Sequence, residues 1–157
     1  MALKLLGSDP SGATDAVNLR FFAYSEISLA ASTVVTASNG TAIQATGWST
    51  VTTGYGQTPG SSGITVPAGI YLATVEVKWN AASTIVRYPL IYDGTMYHFA
   101  DTGAQINSSG SVGTFSCMLN IGSSTLIQAG FTVATTTSSV RTVSSVGGTR
   151  MCIQRLA

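Results

Sequence analysis

The chain has 157 residues, of which 45% are apolar and only 8% are charged, so it is able to bury the core of one folded domain and is not disordered. Seven basic and six acidic side chains leave a net charge near zero, which excludes the basic surface that binds nucleic acid or an anionic membrane. No stretch reaches the ~20 apolar residues of a membrane span, and the first apolar run is too short for a signal peptide.

Residues 1–31 are predicted to form an arm and a short helix. The turn Asp9-Pro10-Ser11-Gly12 comes first, Thr14 or Asp15 then caps the helix, and the helix is expected to end near Ala31. Its apolar face has helical spacing and consists of Val17, Phe21, Tyr24 and Ser28, with Phe22 beside it. This is the one helix that the sequence predicts.

From residue 32 onward, β-branched segments alternate with Ser, Thr and Gly at intervals of about eight to twelve residues, a pattern typical of a sandwich or barrel of short strands. The predicted strands are Thr33–Ala37, Thr41–Thr46, Ser49–Tyr55, Gly63–Val66, Gly69–Asn80, Ile85–Tyr92, Thr95–Ala100, Gly113–Ile121, Ser124–Thr135 and Thr149–Leu156. The polar stretches 107–111 and 135–139 are interpreted as loops or as edges that discourage pairing. No repeat of fixed period is present, which argues against a solenoid or propeller.

Two of these strands alternate with a period of two, as expected where one face is buried. One face of the first would hold Tyr71, Ala73, Val75, Val77 and Trp79, and the opposite face Leu72, Thr74, Glu76 and Lys78. Phe115, Cys117, Leu119 and Ile121 alternate in the same way. Between two further strands, Asp93-Gly94 is a strong signal for a hairpin turn.

Catalysis needs several titratable groups in one place, and this chain has little to bring together. His98 is the only histidine. Asp101 is near it in sequence and could contact it, but no recognisable nucleophile motif is present. A structural role for His98 in a strand is therefore favoured over a role as general base. Asp93 and Asp101 could help to bind calcium, but an Asp in a turn more commonly caps its own backbone. The chain is therefore expected not to be an enzyme, with no catalytic residue, metal ligand or cofactor assigned.

The two cysteines, Cys117 and Cys152, match no metal-binding spacing. Without a secretion signal, two reduced thiols buried in strands are favoured over a disulfide. Five aromatic residues lie near strand ends and could stack on a sugar, while packing in the core or at a subunit interface is the favoured interpretation. They are Tyr55, Tyr88, Tyr92, Tyr97 and Phe99.

The segment from Gly63 to Leu72 resembles a motif of the jelly rolls of the complement globular-head and tumour-necrosis-factor type. In those domains a short strand ends in a Pro-x-Gly-x-Tyr turn, matched here by Pro67, Gly69 and Tyr71, and runs into a long central strand. Further matches follow in order at Arg87–Gly94, Ser116–Asn120, Thr125–Gly130 and Arg150–Leu156, so the resemblance covers about Thr33 to Ala157. Residues 120–123 replace the usual Gly-Asp pair, and the closing strand lacks the usual Phe-x-Gly. The resemblance implies an all-β jelly-roll sandwich of about 8–10 strands that forms a homotrimer.

A second resemblance lies in Asp15-Ala16-Val17-Asn18-Leu19-Arg20-Phe21-Phe22, which is similar to the Asp-Ala-Val-Asn-Lys-x-Tyr-Val segment of bacteriophage tail-fibre and minor tail proteins. Leu19 replaces the Lys, and Phe21-Phe22 replace the Tyr-Val pair. This resemblance implies an arm that attaches the chain to a virion; the alternative is a helix that plugs the base of the jelly roll. The residues assigned to anchoring or trimer contacts are Val17, Phe21, Phe22 and Tyr24.

Together these features predict a bacteriophage virion structural protein, with residues 1–31 as the attachment arm and residues 32–157 as the jelly roll. Tail fibre, minor tail protein and head decoration all stay open. The expected partners are sister copies, other virion proteins and a host-surface glycan or protein, and the expected site is the virion, assembled in the host cytoplasm. A carbohydrate-binding module is the alternative, and a polysaccharide hydrolase that uses Asp93 or Asp101 is the weakest one.

Overall fold

The computed structural model describes residues 23–29, 35–38, 42–79, 86–99, 104–105, 112–133, 137–140 and 148–157. Within these ranges the chain forms β-strands and no helix. The strands are β1 (Tyr24–Leu29), β2 (Val35–Ser38), β3 (Ile43–Gln44), β4 (Trp48–Thr52), β5 (Thr58–Gly60), β6 (Gly63–Val66), β7 (Gly69–Lys78), β8 (Val86–Tyr92), β9 (Tyr97–Phe99), β10 (Ala104–Gln105), β11 (Val112–Ile121), β12 (Thr125–Val133), β13 (Thr137–Val140) and β14 (Arg150–Arg155). None of the described segments contains a helix that could cross a membrane.

The strands pair into two large antiparallel sheets. The first sheet has the order β11-β7-β14-β1-β4, and the second has the order β10-β8-β12-β6-β5, with β3 beside β12 and β9 beside β8. Strands β13 and β2 pair separately. Apart from the hairpins β5–β6 and β8–β9, neighbours in each sheet come from distant parts of the chain, so the connections repeatedly cross between the sheets, as in a jelly roll.

The core lies between the two sheets and follows the period of two seen in the sequence. Tyr71, Ala73, Val75, Val77 and Trp79 are all fully or almost fully buried on the inner face of β7. The second sheet contributes Ile64, Val66, Ile91, Ile127 and Phe131 to the same cluster. Trp79 and Phe131 meet edge to face across the core, with ring centroids 5.2 Å apart, a contact that adds about 1 kcal/mol to the burial of their area.

Each of the ten predicted strands is present, and the bounds of β6 are the predicted ones. Strands β1, β5, β10 and β13 were not predicted. The interpretation of residues 135–139 as a loop is wrong for residues 137–139, which belong to β13 and pair with residues 36–38 of β2. Strand β5 contains Pro59, and proline counts against a strand unless the strand lies at an edge, which is where β5 is found.

The predicted helix is wrong for Tyr24–Leu29, which forms β1 between β14 and β4. Residues four apart share one face of a strand as well as of a helix, so the spacing of Tyr24 and Ser28 fits both. Val17, Phe21 and Phe22 lie outside the described residues. Strand β1 extends the first sheet ahead of residue 32, while the division into an arm and a jelly roll otherwise stays a prediction.

The corner between β6 and β7 is built as the Pro-x-Gly-x-Tyr motif predicts. The hydroxyl of Tyr71 donates a hydrogen bond of 2.9 Å to the carbonyl of Pro67. Gly69 has a φ of +158°, and a Cβ there would lie 2.7 Å from the carbonyl oxygen of Ala157. Arg155 donates to the carbonyl of Ala68 and so ties the last strand to this corner.

Candidate functional site

The outer face of the first sheet carries rows of side chains that run across β1, β14 and β7. Residues directly opposite one another in antiparallel strands share a face, so each register position defines one row. The rows are Ser28-Arg150-Glu76, Glu26-Cys152-Thr74 and Tyr24-Gln154-Leu72. The face therefore changes from charged at one end to apolar at the other.

At the charged end, Arg150 holds two carboxylates. Its guanidinium donates to both carboxylate oxygens of Glu76, from Nε at 2.5 Å and from Nη2 at 3.0 Å, and Nη1 lies 3.7 Å from Oε1 of Glu26. The hydrogen bonds to Glu76 raise the pKa of Arg150, although partial burial opposes the shift. A bidentate ion pair of this kind fixes the position of both side chains, which suits a surface that must be complementary in shape and charge to a partner.

Tyr24 is the one predicted contact residue among those that the structure describes. It lies on this outer face, and its hydroxyl is 2.7 Å from Oε2 of Glu26, to which it donates, and 3.2 Å from Sγ of Cys152. Burial and these two hydrogen bonds raise the pKa of Tyr24 far above its usual value, so the phenol stays neutral. Its role in trimer contacts stays a prediction.

The apolar end of the outer face exposes four large side chains. Met118 is 71% exposed and lies opposite Leu72, while Leu156 is hydrogen-bonded through its backbone to Ile70. Ile70, Leu72 and Leu156 are each more than a third exposed. Adjacent exposed apolar side chains of this size are typical of a surface that another protein covers. We call Ile70, Leu72, Met118 and Leu156 the apolar patch.

The predicted hairpin at Asp93-Gly94 is confirmed, because β8 and β9 pair on either side of it. Oδ1 of Asp93 accepts hydrogen bonds from the backbone N–H groups of Thr95 and Met96 and from the Thr95 hydroxyl, at 2.7–2.9 Å. Oδ2 lies 2.7 Å from Nε2 of His98. Burial would raise the pKa of Asp93, but the hydrogen bonds from His98 and the turn outweigh it, and the pKa falls well below its usual range. Asp93 therefore caps its own turn and holds His98, while Asp101 lies outside the described residues.

Four aromatic rings gather on the outer face of the second sheet, and we call them the aromatic platform: Tyr88, Tyr92, Tyr97 and Phe99. Tyr88 meets Phe99 with centroids 6.3 Å apart, and Tyr92 meets Tyr97 at 4.8 Å. Beneath them Leu90 is completely buried outside the main core. Phe99 is still 51% exposed. Of the five aromatic residues named from the sequence, four come together; Tyr55 lines a separate groove with Pro67 and Arg155.

Both cysteines are free thiols, as predicted. Cys117 lies opposite Ala73, on the inner face, whereas Cys152 lies opposite Thr74, on the outer face. Burial raises the pKa of Cys117 to about 11 and also raises that of Cys152. Across the described residues, no three His, Cys, Asp or Glu side chains are grouped so that they could hold a metal ion.

No known protein-family model matches the sequence, and no curated protein matches it either. Solved structures do. The PRD1 vertex protein P5 superimposes with a TM-score of 0.61 at 17% identity, over 87% of this chain and 99% of that one. The fold is a jelly roll of the tumour-necrosis-factor type. The same fold is found in Eiger TNF from S. frugiperda, at a TM-score of 0.56, 10% identity and 87% and 93% coverage. It is also found in murine APRIL, at a TM-score of 0.56, 13% identity and 86% and 99% coverage. The fold predicted from the Gly63–Leu72 motif is thereby confirmed.

Proposed function

We propose that this protein is a non-enzymatic structural component of a bacteriophage virion, and that it assembles as a homotrimer through the outer face of the first sheet. The observation that carries the proposal is the likeness to the vertex protein of the phage PRD1, which extends over nearly the whole of that chain. The similarity of residues 15–22 to phage tail proteins supports the same assignment from a different part of the chain. A vertex or other surface position in the particle fits both likenesses.

The trimer rests on the composition of one surface. An interface that holds protein copies together combines apolar packing with a smaller number of polar contacts. The apolar patch and the ion pairs of Arg150 with Glu76 and Glu26 supply these two parts on one continuous sheet face. Tumour-necrosis-factor-like jelly rolls are generally trimers, so the resemblance favours three copies around a common axis. The scarcity of charge, at 8% of residues, also favours association.

In this proposal the arm attaches the trimer to other virion proteins, with Val17, Phe21 and Phe22 as its anchoring side chains. Tyr24 lies at the start of β1, where the arm meets the outer face. The proposal assigns no catalytic role to His98 and Asp93: Asp93 accepts hydrogen bonds from its own turn and holds His98, which is a structural role in the hairpin. Shape and hydrogen bonding, repeated in three copies, are therefore proposed as the basis of binding.

Sedimentation of the full chain tests the trimer. The expected species at micromolar concentration has three times the 16.1 kDa mass of one chain. Met118→Glu places a charge in the apolar patch and is expected to give monomers with unchanged circular dichroism, because this side chain is 71% exposed. Met96→Glu is the matched control, since Met96 is similarly exposed but lies in the hairpin of the second sheet. A monomeric wild-type chain, or equal effects of the two substitutions, would contradict the proposed assembly.

The virion assignment has its own test. Antibodies against the protein are expected to label purified phage particles, and the label should be lost when residues 1–22 are deleted from the phage gene. Labelling that is confined to the lysate, with none on particles, would remove the assignment even if the protein were a trimer.

A further inference from the structure

The aromatic platform lies on the opposite side of the sandwich from the proposed trimer surface. Tyr88, Leu90 and Tyr92 point away from the core, because Pro89 and Ile91 between them point into it. Tyr97 and Phe99 lie opposite Tyr92 and Leu90 and so share this outward face. A trimer held by the first sheet would thus leave the platform open to solvent.

The rings form a broad surface with little conformational freedom. Two edge or tilted contacts join the rings in pairs. Tyr88 and Tyr92 are four residues apart on β8, roughly 13 Å, and Tyr97 and Phe99 are two residues apart on β9, roughly 7 Å. Leu90 lies on the same face, opposite Phe99, and is completely buried. Phe99 is half exposed beside the partly exposed Tyr97, and exposed ring faces suit the C–H surface of a sugar.

Polar groups border the rings with unused hydrogen-bonding capacity. Nε2 of Gln44 donates to the hydroxyl of Tyr97 at 2.8 Å, which orients that hydroxyl so that its own proton points elsewhere. Gly130 of β12 lies between Gln44 of β3 and Leu90 of β8 in the sheet. Because Gly130 has no side chain, the Gln44 side chain can extend over β12 toward Tyr97.

Charge selects the class of ligand. The described side chains around the rings, Gln44, Leu90, Gln128 and Thr132, carry no charge. Asp93, the described carboxylate beside the rings, is already paired with His98. Among the described side chains, a charged partner would therefore find no free counter-charge, and a purely apolar partner would leave the Tyr97 hydroxyl proton without a hydrogen bond.

We propose that the aromatic platform binds a neutral oligosaccharide, with Tyr97 and Phe99 stacking on the sugar and the hydroxyl of Tyr97 donating to it. That the sugar belongs to a host surface rests on the proposed virion function; the binding itself does not. In a trimer, three platforms would act together and raise the avidity of a weak single site.

Calorimetric titration of the full chain with neutral gluco- and galacto-oligosaccharides, and with a sialylated oligosaccharide as the acidic probe, tests the site. Binding of a neutral probe is expected, with Phe99→Ala and Tyr97→Ala each weakening it about tenfold or more. Tyr97→Phe keeps the ring and loses the hydroxyl, so it should show a smaller loss. Tyr55→Ala, which removes an equally exposed ring from a different groove, is the matched control and should bind like the wild type.

The proposal fails if no neutral probe binds, if only the acidic probe binds, or if Phe99→Ala binds as well as Tyr55→Ala does. It also fails if Phe99→Ala changes the oligomeric state in sedimentation, because the rings would then be a contact between copies. The Met118→Glu chain separates the two proposals. If this variant is monomeric and still binds the neutral probe with wild-type affinity per chain, sugar binding by the platform does not depend on assembly. If the wild-type chain is itself a monomer and binds the sugar, only the proposed trimer is overturned.

Discussion

Asp93 and His98 hold each other across the hairpin between β8 and β9, with 2.7 Å between Oδ2 and Nε2. The same carboxylate closes the turn through its other oxygen, so one side chain positions both the turn and the start of β9. These hydrogen bonds lower the pKa of Asp93 despite its burial. A carboxyl group with a lower pKa in the folded state than in the unfolded state stabilises the fold above its unfolded pKa of about 4, and this contribution is lost as the pH falls further.

We therefore predict that Asp93→Ala lowers the free energy of unfolding by about 2 kcal/mol at pH 7, because three or more hydrogen bonds to a charged acceptor are lost. The difference in unfolding free energy between wild type and variant should narrow as the pH is lowered from 4 to 2, because the Asp93 carboxyl of the unfolded wild-type chain takes up a proton in this range while that of the folded chain, with its lower pKa, stays largely ionised. Urea unfolding followed by tryptophan fluorescence across this range measures the gap. Two stability curves that stay parallel down to pH 2 would show that the charge of Asp93 contributes nothing.

The sequence predicts most of the fold because the inner face of the sandwich follows a strict period of two. The alternation from Tyr71 to Trp79 and the Pro67-Gly69 corner are local patterns, and the structure confirms both. Strand β1 was missed because Tyr24 and Ser28, four residues apart, fit a helix and a strand equally well. The better signal was the alternation of Ser25, Ile27 and Leu29 with polar residues, since all three are buried.

The candidate site was harder to predict, because it depends on which strands become neighbours. The aromatic residues were recognised one by one, but their meeting follows from the pairing of β8 with β9. The apolar patch joins Leu72 to Met118 across β7 and β11, and Ile70 to Leu156 across the chain terminus. No local pattern in the sequence encodes such long-range pairs. Arg150, which joins two carboxylates from other strands, was missed for the same reason.

Gly63 is predicted to be irreplaceable in the entry to β6. Its φ of +151° lies in the region that side chains disfavour, and a Cβ there would overlap the carbonyl oxygen of Ile127. Gly63→Ala should therefore cost about 2 kcal/mol or more of the free energy of unfolding, measured in urea. Gly122→Ala is the matched control, because a Cβ at Gly122 has no atom within 4 Å, and a change within about 0.5 kcal/mol is expected. Equal effects of the two substitutions would contradict this account of the entry to β6.

The thiols are predicted to be slow to react in the folded protein. Burial raises the pKa of Cys117 from 9.0 to about 11, so its thiolate fraction at pH 7 falls by about a hundredfold. Alkylation by iodoacetamide, followed by mass spectrometry, should label Cys117 about a hundred times more slowly in the native chain than in urea. No disulfide between Cys117 and Cys152 should form on oxidation, since they lie on opposite faces of the first sheet. Rapid native labelling of Cys117 would mean that the inner face opens readily.

Arg150 is predicted to matter more to the trimer than to the single chain. In the monomer its pair with Glu76 is partly exposed, and such pairs contribute less than about 1 kcal/mol. In an assembled trimer the same pair would be shielded from water, and removing Arg150 would leave Glu76 and Glu26 as unpaired carboxylates at a protein interface. Arg150→Met should thus change the unfolding of the monomeric Met118→Glu chain by less than about 1 kcal/mol but weaken trimer formation of the otherwise wild-type chain by tenfold or more. Urea unfolding and sedimentation over a series of concentrations measure the two effects, and a trimer that assembles equally well without Arg150 would place the charged end of the face outside the interface.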